Sequence, residues 1–253
     1  MKHFFTLLSH EVRMLLVSPS TYIAAVLFLG VMGFVFTGIL ETYSAGPQEL
    51  SPAYVFFQLF SLPVLFMVPL LTMKCLAEER RLGTIETLLT TPVTTTEVVL
   101  GKYGAAYLLY MSLWASTGGF FYILKKFSGE AHFIDVGPLV GGYLFVGVSG
   151  LFFIAIGVFA SSLSRNQAVA GILGFTMLFG IIVGGRYLTE APWLNRDVLY
   201  PIKAAVDYSN VWAHFDDFSR GVIDTRQLLF YISGTVLALI FSILGVEAKL
   251  LHS

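Results

Sequence analysis

The charged side chains of this chain are few and unevenly placed. Lys74–Lys102 (KCLAEERRLGTIETLLTTPVTTTEVVLGK) holds eight of them, out of 15 basic and 16 acidic residues in all. They are Lys74, Glu78, Glu79, Arg80, Arg81, Glu86, Glu97 and Lys102. Such a cluster must face water or a protein. A second set, Asp207, Asp216, Asp217, Arg220, Asp224 and Arg226, precedes the last apolar run. Adjacent carboxylates there have the residue types of a hydrolytic acid–base pair. The favoured reading is a solvated cap with salt bridges, with Gly221 after a short helix and Asp224 or Thr225 opening the next. Ser149 lies in GVSG (Gly147–Gly150), but a serine nucleophile needs a histidine base and no apolar run holds one. Small-residue helix packing accounts for that string. Gly83 stands where an E-E-x-x-x-R site starting at Glu78-Glu79 would need its arginine. The five histidines, His3, His10, His132, His214 and His252, lack metal-ligand spacing.

The segments between these clusters decide the class. The chain has 253 residues, of which 56% are hydrophobic and 12% charged, with mean hydropathy +0.79 and net charge −1. Soluble domains carry about 25% charged residues. The composition excludes a soluble enzyme, a disordered chain and a nucleic-acid binder, which would be basic. What remains is an all-α, multi-pass membrane protein. The single cysteine, Cys75, cannot form an internal disulfide. Charge-free runs long enough to cross a bilayer occur at Thr21–Leu40, Ala53–Met73, Gly104–Leu124, Pro138–Ala160, Ala168–Gly185 and Gln227–Val246. They predict six helices in one membrane domain over residues 1–253, with a kink or break at Pro63 and Pro69 in the second. No charge lies within any of them, which argues against an ion relay. Gly171, Gly174, Gly180 and Gly184 in the fifth predict close helix approach, within the chain or across a dimer.

Lys2–Val17 places Phe5, Leu8, Val12, Leu15 and Leu16 on one side of a helix, with Lys2, Thr6, Ser9 and Arg13 opposite. It reads as an interfacial helix, a frayed terminus being the alternative, and Ser18-Pro19 ends it. A cleaved leader is not expected, since the first span is too long. Glu41–Pro52 has no Lys or Arg, whereas the next loop has four. Both termini are therefore placed in the cytoplasm.

Within the charged loop, Thr84 can cap a short helix with Ile85, Leu88 and Leu89 on its apolar side and Pro92 at its end. Thr96-Glu97 then starts the helix leading into the third span. Two readings stand: a helix that docks into a partner's groove, or a solvated loop.

The string EERRLGTIETLLTTPVTTTEVVLGK resembles the signature between the second and third spans of type-2 ABC transporter permeases. That signature runs roughly E-[KR]-x-x-G-T-x-E-x-L-L-x-x-P-[VI]-x-x-x-E-[IV]-x-x-G-K. Glu79, Arg80, Gly83, Thr84, Glu86, Leu88, Leu89, Pro92, Glu97, Gly101 and Lys102 match it. HFDDFSRGVIDTRQLLFYIS (His214–Ser233) is similar to the subgroup of gliding-motility and nitrous-oxide-reductase-maturation permeases. The resemblance implies the permease half of an ATP-driven transporter, an exporter, in the bacterial inner membrane. Its implied partners are a separate ABC ATPase, a second permease copy (or a related permease), the lipid bilayer and an extracytoplasmic accessory membrane protein. ATP and Mg would be bound by the ATPase, and no cofactor by this chain. In keeping with that, no G-x-x-x-x-G-K-[ST] occurs: Thr96 and Tyr103 stand at the first Gly and the final Ser/Thr. The implied ATPase-coupling interface is Glu79, Arg80, Arg81, Gly83, Thr84, Glu86, Leu88 and Pro92, with Glu79, Arg81 and Thr84 as docking contacts. The alternative is a non-transporting scaffold that passes ATPase-driven force to an extracytoplasmic partner.

Arg186–Arg226, between spans five and six, is rich in aromatic residues that favour a membrane interface. The resemblance implies short re-entrant helices there that cap the pathway, with Trp193, Tyr200, Tyr208, Trp212 and Phe215 as an extracytoplasmic gate. An ordinary surface loop is the other reading.

Overall fold

The computed structural model describes residues 2–46, 48–83, 94–127, 135–192 and 200–250. Among them every regular element is helical. Helix α1 (Lys2–Val17) is followed by α2 (Pro19–Ser44), and the two separate at Ser18, extended at φ −72° and ψ 128°, because Pro19 can only open a new helix. The second apolar run is divided into α3 (Pro52–Gln58) and α4 (Ser61–Thr72). The break at Leu59–Phe60 sits where Pro63 has no N–H to return to Leu59, so the expected proline effect lands one turn upstream of the ring. Pro69 is accommodated inside α4.

After α5 (Ala77–Leu82) come α6 (Thr95–Ser116) and α7 (Gly118–Phe127), then α8 (Val136–Leu163) and α9 (Gln167–Phe179). A π-helical turn (Gly180–Gly184) joins α9 to α10 (Gly185–Thr189). Helices α11 (Tyr200–Tyr208), α12 (Val211–Ser219) and α13 (Thr225–Leu250) complete the chain.

Among the described residues five helical stretches are long and apolar enough to cross a membrane: Pro19–Ser44, Ser61–Leu82, Val136–Leu163, Gln167–Thr189 and Thr225–Ala248. They contain five of the six expected runs, the second only from Ser61 onward. Gly104–Leu124 is different. It is shared between α6 and α7 across a turn at Thr117, whose backbone stays right-handed. Helix α6 has Glu97 in its first turn, carries Lys102 and is rich in tyrosine, which lowers its hydropathy below that of the other five.

Helix α8 is the central post, against which α4, α6, α9, α12 and α13 all pack. It can be central because it is narrow where neighbours cross. A Cβ at Gly142 would overlap the Phe57 ring, one at Gly150 the Tyr110 ring, and one at Gly157 the Thr72 side chain. At Gly141 it would overlap the main-chain carbonyl of Phe218, so only glycine admits α12. The glycines of the fifth run divide. Gly174 meets Ala160 and Pro69 at ordinary contact distance within the chain, whereas Gly180 has open space on its Cβ side.

Candidate functional site

The charges of the loop face in two directions. Helix α5 is a single turn and a half, so consecutive residues point about 100° apart. Glu79 points inward, where its Oε1 lies 2.7 Å from Lys102 Nζ on α6. The same ammonium lies 2.8 Å from Glu11 Oε1 on α1. The three side chains are only 6% (Lys102), 14% (Glu11) and 21% (Glu79) exposed. One cation thus joins three elements that are remote in sequence.

Arg80 also points inward. Its guanidinium donates to the carbonyls of Ser162, at the end of α8, and of Gly245 on α13, the latter at 3.4 Å. Burial leaves little room for solvent here, and the Ser162 carbonyl, in the last turn of α8, is a natural acceptor for a cation. The turn before α5 is fixed by Ser161, whose Oγ accepts from the Leu76 and Ala77 amides, both at 3.1 Å, and donates to the Met73 carbonyl at 3.2 Å. Lys74 Nζ donates to Ser18 Oγ at 3.1 Å, tying this turn to the α1–α2 elbow.

Arg81 and Glu78 point outward, 3.9 Å apart, with the Arg81 side chain 58% exposed. Gly83 ends α5 at φ +68°, the left-handed conformation that glycine adopts without a Cβ penalty. The far side of the loop begins at Thr94, which forms a capping box with Glu97: Thr94 Oγ1 accepts the Glu97 amide at 3.3 Å and Glu97 Oε2 accepts the Thr94 amide at 3.2 Å. The helix start expected at Thr96 is therefore set by Thr94. Thr84, Glu86, Leu88 and Pro92 lie outside the described residues. Of the expected docking contacts that are described, Glu79 has Oε1 on Lys102 and a side chain 21% exposed, whereas the Arg81 side chain is 58% exposed.

Helix α1 reaches Lys102 because α6 is thin there. A Cβ at Gly101 would lie 3.0 Å from Leu7 Cδ2, and one at Gly104 would lie 3.1 Å from Leu8 Cδ1. Leu8, Val12 and Leu15 pack inward, whereas Phe5 and Leu16 of the same apolar set stay exposed.

The other expected site is at the segment before α13. Asn210 caps α12 by accepting the Trp212 and Ala213 amides at 3.0 and 3.4 Å. Trp212 and Phe215 come together with Phe60 at the α3–α4 break, with ring centroids 5.3 and 6.0 Å from it. The indole N–H of Trp212 donates to the Ile182 carbonyl of the π-helical turn at 3.0 Å, and Arg186 lies over its ring at 4.6 Å. Tyr208 stands apart, donating to the Arg226 carbonyl at 2.8 Å, and Tyr200 is 72% exposed. Trp193 lies outside the described residues.

The carboxylates of this segment do not converge. Asp216 accepts from the Tyr54 hydroxyl at 2.8 Å, Asp217 from Gln227 Nε2 at 2.6 Å and Asp224 from the Arg226 amide at 2.8 Å. Among the described residues these are hydrogen bonds, where salt bridges were expected, and they leave no paired hydrolytic site. His214 is held between the Tyr208 carbonyl (Nε2, 3.1 Å) and the Tyr231 hydroxyl (Nδ1, 3.0 Å). A carbonyl only accepts, so Nε2 carries the proton and Nδ1 accepts from Tyr231. Burial pushes this imidazole below its usual range; the Tyr208 carbonyl, Asp217 and Asp224 pull the other way. Ser149 donates to the Phe145 carbonyl of its own helix at 2.7 Å and is fully buried.

The family model of the ABC-2 family transporter protein matches residues 5–246. The chain belongs to that family. No curated protein matches the chain significantly. Membership makes it a multi-pass membrane protein and the membrane subunit of an ABC transporter, which implies an ABC ATPase partner and a lipid surround. The ABC-2 membrane subunit is not the ATPase of its complex.

Sequence reasoning missed Glu11, Ser161 and the inward turn of Arg80. Glu11, the chain's first acidic residue, lies on α1 beside Leu15 and Leu8, away from Lys2, Ser9 and Arg13. Its pairing with a lysine 91 positions away carries no local signal.

Proposed function

We propose that this chain is the permease of a type-2 exporter, which pairs with a second copy around a substrate pathway. A separate ATPase drives it by pushing on the segment between Gly83 and Thr94. In this reading α6 and α7 together form the sixth crossing and both termini are cytoplasmic. Helix α1 lies in the membrane interface, and α11–α12 dip into the outer leaflet as the gate around Trp212 and Phe215.

The observation that carries the reading is the clamp at the base of the loop. Glu79 on the entering side and Lys102 on the leaving side are bonded to each other, and Arg80 is bonded to the ends of two long helices. A loop fastened this way cannot absorb a push by bending at its base, so displacement passes into α8 and α13. Arg81 is left as the outward-facing group of Glu79–Arg81.

Affinity purification of the full chain from its native membrane should recover an ABC ATPase, identified by mass spectrometry. Arg81→Glu should lower that recovery several-fold, since a like-charge contact across an interface costs several kcal/mol. Its gel-filtration profile should be that of the wild type. Recovery of the ATPase at wild-type level by Arg81→Glu, or no ATPase with the wild type, would refute the assignment.

A further inference from the structure

A groove of about 740 Å³ opens beside the second half of α2, in the size range of small-molecule sites. Its walls are Phe34, Val35 and Ile39 of α2, Val55 of α3 and Leu59 at the α3–α4 break. Gly38 forms the floor, and its Cβ side is empty to 4 Å. The polar lining, Thr42, Tyr43, Gln48 and Glu49, lies all at one end. There the Tyr43 hydroxyl donates to the Leu50 carbonyl and holds the returning chain across the mouth.

The order of these residues along α2 matches the bilayer. The charge-free stretch Thr21–Leu40 is 20 residues, and at 1.5 Å per residue it crosses a hydrocarbon core of about 30 Å. Phe34 therefore lies a little beyond the midplane, and Tyr43 lies at the interface. The distance between them along the helix is about 14 Å, roughly one leaflet. The groove is apolar through about two-thirds of that leaflet's hydrocarbon, on the headgroup side, and polar only where headgroups sit. Its mouth is also acidic. Glu49 lines it, Glu41 is one turn away, and residues 41–52 contain no Lys or Arg. Among the described residues no ion pair reaches either carboxylate.

We infer that this groove is a binding site for one membrane lipid with an amine-bearing headgroup, its acyl chain along Phe34–Ile39 and its ammonium at Glu49. The site lies on the outside of the bundle and is separate from the loop clamp and from the Trp212 cluster. It gives the chain a lipid contact selective by headgroup as well as by hydrophobic fit.

Native mass spectrometry of the full chain, titrated with dioleoylphosphatidylethanolamine or dioleoylphosphatidylglycerol, tests this. The wild type should bind one phosphatidylethanolamine saturably and in preference to phosphatidylglycerol. Glu49→Gln should weaken that binding by about two- to fivefold, the range of an exposed ion pair, and abolish the preference. Gly38→Leu, whose Cβ would meet nothing within 4 Å, projects an isobutyl group into the groove and should remove the saturable event while the chain stays folded. Equal affinity for the two lipids, or unchanged binding by Gly38→Leu, would overturn the inference. So would efficient disulfide dimerisation of Thr42→Cys in membranes, because a second copy would then cover the groove. Thr42 is exposed and the native Cys75 is buried, so such a cross-link reports this face.

Discussion

Replacing Lys102 by methionine keeps the length of the side chain and removes its charge. Two buried carboxylates, Glu11 and Glu79, then lose the cation that lies 2.8 and 2.7 Å from them. Removing one member of a buried ion pair costs about 3–5 kcal/mol, because the partner stays buried without compensation. Glu11 and Glu79 retain 14% and 21% exposure, so some hydration reaches them. The lower end, about 3 kcal/mol, is therefore expected. For a chain of this size it corresponds to a fall in Tm of about 6–12 °C. Thermal unfolding of the purified chain in detergent measures it. A local readout accompanies it: α1 loses its charged tie to α6, so trypsin should cut at exposed Arg13 sooner than in the wild type. The decisive comparison is the triple variant Glu11→Gln, Glu79→Gln, Lys102→Met. It removes the whole cluster and leaves no uncompensated charge, so it should lie within about 1 kcal/mol of the wild type and above the single variant. A single variant melting within 2 °C of the wild type, on the ~2–4 °C per kcal/mol scale used above, would refute the reasoning. A triple variant less stable than the single one would do the same.

Two further outcomes follow from the packing and the buried imidazole. Gly141→Ala places a methyl into the Phe218 carbonyl and should destabilise the chain by about 1–3 kcal/mol, whereas Gly30→Ala, which meets nothing within 4 Å, should be neutral or slightly stabilising; equal melting temperatures for the two would contradict the packing of α12 on α8. His214 has its folded pKa below the free value of 6.5, so the unfolded chain binds the extra proton first and stability is lost as pH falls below about 6.5. The slope is at most about 1.4 kcal/mol per pH unit, and His214→Gln should flatten it; a melting profile between pH 7.5 and 5.5 that is unchanged by the substitution would show that His214 does not titrate in this window.

The elements legible in the sequence are those specified by a single run of residues. Charge-free stretches announced five spanning helices, Ser18-Pro19 announced the α1–α2 elbow, and Gly221 (φ +79°) lies where a short helix was expected to end. The third run was harder because its class depends on what surrounds it. Lys102 reads as a loop charge in isolation, yet it belongs to α6 and is buried, since Glu11 and Glu79 come to it. For the same reason Glu79 and Arg81 look alike in the loop sequence. A two-residue separation on a helix turns side chains about 200° apart, so one must face in when the other faces out. Which of them faces in is decided by the position of Lys102 on another helix. In the proposed reading the motif marks the place where the chain meets its motor, and it mixes residues that would touch the partner with residues that hold the contact rigid. Separating the two takes the ion pair's geometry: Glu79 and Lys102 are the brace, and Arg81 is the face presented outward.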